Sequence, residues 1–267
     1  MKKLLQIANG VAFVSMVVVN YLSNTGIYKD TTIGEVSADL NNLFTPAGYA
    51  FSIWGVIYLL LLGFAIYQGR SLFVKVRDDA FVERTGVWFI TSCLANIGWI
   101  FAWLGGYTGI SLIFMFFLLM CLLIIVKKNH MELWDAPLSV IFFLWWPFVI
   151  YSGWITVASV ANVAAYLTDI SSGGWGLSEV FWTILMIIIA GVINLAITWT
   201  RNMREFALVG AWALIAIAVA NWESTISVAY TALGVAIILF LSSSIHGYKN
   251  RGTSPFVKLK ELSRKSQ

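Results

Sequence analysis

Charge is what this sequence lacks most. Of its 267 residues, 11% are Asp, Glu, Lys or Arg and 60% are hydrophobic, and the mean hydropathy is +0.83. Soluble domains carry about a quarter charged residues, so the chain reads as a polytopic integral membrane protein. The few charges avoid the apolar runs, none of which holds an Asp, Glu, Lys or Arg away from its ends. Proton pumps, ion-coupled carriers and voltage sensors keep ionisable groups at membrane depth, so this absence counts against all three. It also removes retinal chemistry, which needs a mid-membrane lysine. Cysteine is scarce too. Cys93 and Cys121 have no CxxC spacing and no histidine nearby, and read as small buried hydrophobes. His130 and His246 form no metal-spaced pair, and the sequence shows no nucleophile elbow and no glycine-rich phosphate loop. No ordinary catalytic set is present. No internal repeat is present either, which counts against an inverted-repeat transporter.

Long apolar runs are abundant. Eight are expected to cross the bilayer: 4–22, 46–68, 86–104, 108–126, 137–166, 179–199, 205–221 and 226–246. Each comes near the ~20 residues a spanning helix needs. Pro147 lies inside the fifth and is expected to kink or tilt it; the seventh is the shortest. An all-α transmembrane bundle follows. Numbered from an N-terminus placed inside, the loops put all but one of the 17 Lys and Arg on the inner side, Lys29 being the exception. The outer loops hold Asp30, Glu35, Asp39, Asp169, Glu179 and Glu223. The positive-inside rule then places both termini in the cytoplasm. The basic isoelectric point thus reflects topology; no nucleic-acid surface is present. Met1-Lys2-Lys3 and the apolar run behind it are read as a retained first helix, because Asn20–Asn24 offers no small-x-small cleavage site.

One connection is long. Residues 23–45, on the outer side, are polar and slightly acidic, and a loop of this length in a bundle is usually functional or disordered. Val36, Leu40, Leu43 and Phe44 are spaced for a short helix over 36–44 that would cover the bundle mouth as a lid. The tail 247–267 is basic and suits an anionic inner leaflet.

The run that opens at Pro46 sorts its side chains. At 3.6 residues per turn, Phe51, Trp54 and Tyr58 share one face, while Gly48, Ser52, Gly55 and Gly63 share another. The small face permits close helix approach, within one chain or between the subunits of a homodimer. The aromatic face suits a flat apolar ligand, or packing alone. Similar faces recur. Ser92, Asn96, Trp99 and Trp103 lie on one side of the third run, and Pro147, Tyr151, Trp154 and Ala158 on one side of the fifth. Asn96 brings a donor and an acceptor to a space walled by indoles. Trp88, Trp134, Trp175 and Trp222 fall near segment ends, as interfacial anchors do. Trp54, Trp99 and Trp154 lie deeper. Leu62, Tyr67 and Arg70 make a pattern of the kind proposed for sterol contact.

Together these motifs resemble the translocator protein / tryptophan-rich sensory protein family (TspO/MBR). Pro46, Gly48, Tyr49, Phe51, Trp54 and Tyr58 are similar to the family's second-helix opening. Asn96 and Trp99 are similar to its third-helix Asn-x-x-Trp, and Pro147, Tyr151 and Trp154 to the start of its fifth helix. Thr45 stands where the family has a first proline, Tyr151 where it has Trp, Trp154 where it has Phe, and Ser159 near its late asparagine, with Asn162 beyond. The resemblance covers 1–168 as a five-helix unit with 23–45 as its lid; 169–246 is an addition of three helices, and 247–267 a tail. It implies a ligand-binding or sensory protein of the bacterial plasma membrane, whose pocket takes flat molecules such as porphyrin or haem. The implied site residues are Pro46, Phe51, Trp54, Tyr58, Asn96, Trp99, Trp103, Pro147, Tyr151 and Trp154, with no obligatory cofactor. A transporter or facilitator for a neutral or amphipathic small molecule is the other reading, and porphyrin photochemistry a third.

Overall fold

Wherever an apolar run faces lipid, its backbone must satisfy its own hydrogen bonds, and helix is the local solution. A computed structural model describes residues 1–40, 42–76, 78–170, 176–253, 255 and 257–259, and no strand occurs among them. Arg77, Trp175, Lys260, Arg264 and Lys265 lie outside the described residues. The helices are α1 (Lys2–Leu22), α2 (Ile33–Asp39), α3 (Ile53–Gly69), α4 (Phe81–Thr85), α5 (Trp88–Leu104), α6 (Thr108–Lys128), α7 (Leu138–Val140), α8 (Trp146–Asp169), α9 (Glu179–Arg201), α10 (Arg204–Ala220) and α11 (Ile226–Lys249). A 3₁₀ turn, Gly48–Ser52, precedes α3, and a π turn, Ile141–Trp145, joins α7 to α8.

The polytopic helical bundle expected from composition is therefore present, and the eight apolar runs form eight long helices in order. Six elements are long and apolar enough to cross a membrane. The other two, α5 and α10, have 17 residues each, about 26 Å against a hydrocarbon core of about 30 Å.

Lipid-facing and core-facing residues are sorted as a membrane requires. On α1 Leu4, Ile7, Val11, Val14 and Val18 are exposed, while Gln6, Asn9 and Asn20 are buried. The buried amides join helices. Gln6 Nε2 donates to the Gln68 carbonyl, and Gln68 Nε2 returns a bond to Gln6 O at 2.9 Å, fastening α1 to α3 at one end. The fifth run is the centre: 72% of its apolar window is buried, against 28–39% for the other five long spans. The irregularity expected at Pro147 appears as the π turn just before it. Proline has no N–H to offer the carbonyl one turn back and its ring crowds that carbonyl, so the ladder widens there.

The last three helices pack on this centre. A Cβ on Gly153 of α8 would lie 2.9 Å from Phe206 O of α10, and one on Gly210 of α10 would lie 2.5 Å from Asn194 Oδ1 of α9. The seventh run, the shortest in sequence, is among the most enclosed, with Ala207, Ala211, Ala213, Ala216 and Ala218 all buried. Small side chains let backbones approach where no hydrophobic effect separates helix from lipid. On the small face of the second run, a Cβ on Gly63 would lie 3.1 Å from the Phe143 ring, whereas Gly48 and Gly55 face open space.

Contacts sort the connections into two ends. Lys2 pairs with Asp79 at 2.8 Å, and Asn202 Nδ2 reaches Glu132 O at 3.1 Å, at the end holding most of the basic residues. Beside Lys2 and Ser71, the Asp79 carboxyl is held below the usual carboxylate range. At the other end Thr108 donates to Asp169 Oδ2 at 2.6 Å, and Lys29 donates to Gly105 O at 3.2 Å. Cys93 and Cys121 are buried free thiols.

Candidate functional site

The long connection between α1 and α3 begins its helix with a capping box. Thr32 Oγ1 accepts from Glu35 N at 3.2 Å, and Glu35 Oε2 accepts from Thr32 N at 2.7 Å, which starts α2 at Ile33. The helix thus covers 33–39, not the 36–44 expected from apolar spacing. Thr-x-x-Glu was the overlooked signal; it fixes where the helix can begin, whereas spacing fixes only which face is apolar.

The segment lies over the bundle. Trp103 Nε1 donates to Ile33 O at 3.3 Å, and Phe44 is 1% exposed. Its descending end is tied to α9 and α10. Leu43 N donates to Glu179 Oε1 at 2.9 Å, Asn221 Nδ2 to Leu43 O at 2.9 Å, and Trp212 Nε1 to Ala50 O at 3.2 Å. Ala47 N donates to Ala216 O at 3.0 Å. Glu179→Ala removes the acceptor of Leu43 N and is expected to speed deuterium exchange there roughly tenfold, the worth of one charge-assisted bond. Unchanged exchange would show that the segment is held by packing alone.

Two spaces lie beneath it. The smaller, about 60 Å³, is enclosed by Phe51, Trp54, Trp99, Trp103, Trp154 and Asn162 together with the lid. The larger, about 620 Å³, is a cleft between α1, α2 and α3, lined by Val17, Asn20, Tyr21, Pro46, Gly48, Phe51, Trp54 and Tyr58. Pro46, Phe51 and Trp54 border both. At the opposite end α1 and α3 are fastened through Gln6 and Gln68. The α1 wall was not foreseen. Its only signals are Asn20 and Asn24, polar residues near the end of an apolar run.

Aromatic geometry at the shared wall is specific. Trp54 stacks on Tyr58 with centroids 5.5 Å apart and planes 23° apart, and meets Tyr151 and Trp154 edge-on at 5.8 and 6.3 Å. Trp99 stacks on Trp103 at 6.0 Å. Trp99 Nε1 donates to Asn162 Oδ1 at 3.2 Å, and Ser111 donates to the same oxygen at 3.1 Å. Trp154 Nε1 is buried with no partner.

Three of the expected residues stand behind these walls. Asn96 accepts from Asn20 Nδ2 at 2.7 Å and donates to the Tyr151 hydroxyl at 3.2 Å. This chain joins α1, α5 and α8, with Asn96 and Tyr151 fully or almost fully buried. Pro147 is buried beside the π turn. Neither space is lined by any of the three. The sequence placed Asn96 on the correct face; a facing amide on α1 took up its bonds. In the sterol-type pattern, Tyr67 is stacked on Phe81 and Phe143 and covered by the Arg70 guanidinium at 3.5 Å.

Lipid-facing helices, buried amides and a lidded aromatic cleft define an integral membrane protein of the helical-bundle class with a ligand-sized space near one face. The family model for TSPO-like protein matches residues 6–245, and the chain belongs to that family. The match runs through the last three helices, past residue 168 where the motif resemblance stops. Comparison with curated proteins found no match, and comparison with solved structures found none.

Proposed function

We propose that the protein is a membrane receptor for a flat, largely apolar ligand of the tetrapyrrole class, taken into the cleft between α1, α2 and α3. The observation that carries this reading is the cleft itself. Its volume of about 620 Å³ suits a small organic molecule, and Trp54, Phe51 and Tyr58 give it an aromatic floor. The smaller space behind Trp54 is too tight for such a molecule and serves as give for the ring. Stacking on an aromatic side chain is worth roughly 1–3 kcal/mol per contact by analogy with bases, so three contacts support micromolar binding after ordering costs.

No histidine or cysteine lines the cleft. Porphyrin or haem would accordingly be held by stacking on Trp54, Phe51 and Tyr58. The cleft end faces outward and both termini face the cytoplasm of a bacterial plasma membrane, following the basic residues. Packing favours binding over passage: buried Phe64, Phe89 and Phe148 meet edge-to-face with centroids 4.8–5.8 Å apart and fill the bundle below the cleft. The test is protoporphyrin with purified protein in detergent and in liposomes. Saturable quenching of tryptophan fluorescence without protein-dependent flux supports a receptor. Flux without saturable quenching would favour a facilitator, and neither result would remove the cleft as a tetrapyrrole site.

A further inference from the structure

The opposite end of the bundle holds a second cavity of about 240 Å³, unlike the first in chemistry. It is lined by Glu132 from the α6–α7 loop, Trp145 and Trp146 at the π turn, Arg204 and Glu205 at the start of α10, and His246 of α11. Four polar atoms on this lining are buried without a partner: Glu132 Oε1, Glu205 Oε2, Trp145 Nε1 and Trp146 Nε1. Trp145 is 3% exposed. Buried polar groups are normally paired, so four orphans around one cavity call for an explanation. Glu132 also has φ +61°, a left-handed backbone that a non-glycine residue rarely adopts.

Other polar groups there are already engaged. Lys258 pairs with Asp135, and His246 Nε2 lies 3.1 Å from Asn202 Oδ1. The ion pairs among the described residues are Lys2–Asp79 and Lys258–Asp135, so Arg204 bridges neither glutamate. Carboxylates and a guanidinium thus share a cavity without closing on each other. A lone anion would meet two carboxylates. A lone amine would leave both indole N–H groups unmatched. A molecule carrying both signs satisfies the set.

We propose that this cavity binds a small zwitterion of the amino-acid type, its ammonium held by Glu132 and Glu205 and its carboxylate by Arg204 and the indole N–H groups of Trp145 and Trp146. The site is independent of the tetrapyrrole cleft, with which it shares no lining residue. Burial, reinforced by the Glu205 charge and opposed by Arg204, pushes the Glu132 carboxyl up to about 8. His246 and the Asp135–Lys258 pair are the other titratable groups on the lining. An ammonium beside Glu132 favours its ionised form, so affinity is expected to rise with pH.

The test uses the purified full chain in detergent, with the common amino acids as probes, each alone. Melting temperature and calorimetric heat are read. For the best probe, the matched amine lacking the carboxylate and the matched acid lacking the ammonium are compared. The expected result is a saturable rise in melting temperature with one or more amino acids. Amine and acid should each bind at least tenfold more weakly, and Glu205→Gln should lower affinity at least tenfold while protoporphyrin quenching stays as in wild type. If Glu205→Gln does not fold, Trp146→Phe, at a half-buried ring, replaces it and should weaken binding several-fold. The proposal is overturned if no amino acid shifts the melting temperature, if the amine or the acid binds as tightly, or if both variants bind as wild type.

Discussion

Trp54→Ala should weaken protoporphyrin binding by about ten- to a hundredfold, the worth of one stacked ring at roughly 1–3 kcal/mol. Trp54 is half-buried and borders both spaces beneath α2, so its ring is the surface on which a flat ligand in the cleft would rest. Its loss also leaves Tyr58, Tyr151 and Trp154 without the ring that each touches. Trp54→Phe keeps part of the stacking area and should cost less. Quenching titrations read through the remaining tryptophans measure both. Asn96→Ala gives the contrast. Its amide is spent on Asn20 and Tyr151, so it should lower the melting temperature and leave affinity nearly intact. If Asn96→Ala abolished binding while Trp54→Ala did not, the floor of the site would lie deeper in the bundle.

The second large effect is expected at Gly153. A Cβ there would lie 2.9 Å from Phe206 O and 3.2 Å from Phe206 Cα, and backbone atoms of a packed helix cannot step aside. Gly153→Ala should cost about 1–3 kcal/mol, in the range of overpacked cores. Gly153→Leu should force α8 and α10 apart and leave little folded protein. Gly55→Ala is the matched control, since nothing lies within 4 Å of the added carbon; it should be neutral or slightly stabilising. Membrane yield and thermal melting in detergent compare the three. A Gly153→Leu protein as stable as wild type would mean that α10 does not pack there, and the anchoring of residues 43–50 by α10 would fall with it.

These two sites show which parts of the molecule could be read from the chain. Hydropathy located every long helix to within a few residues, once the 3₁₀ turn before α3 and the π turn before α8 are counted with them, because a lipid-exposed backbone leaves few alternatives. Helical spacing put Phe51, Trp54 and Tyr58 on one wall, and all three line the cleft. Partner choice was not legible. Asn96 faces inward as its spacing indicates, yet whether it meets ligand or Asn20 depends on how α1 lies against α5. The lid helix starts earlier than apolar spacing indicates because the Thr32–Glu35 cap sets its first turn. The inner cavity escaped notice for a different reason. Arg204 sits at a run's end, where the inner-side count of basic residues already accounted for it. Trp145 and Trp146 passed as two more aromatics among thirteen tryptophans. Only the fold brings them around Glu132 and Glu205.

The account stands or falls on whether a flat ligand occupies the cleft between α1 and α3. Gly48 lines that cleft and has open space where a side chain would grow. Gly48→Leu should therefore fill the cleft without disturbing the fold. Protoporphyrin titration of wild type and Gly48→Leu, with melting curves for both, is the direct measurement. The expected result is saturable binding to wild type and at least tenfold weaker binding to Gly48→Leu at an unchanged melting temperature. Equal binding by the two proteins would contradict it.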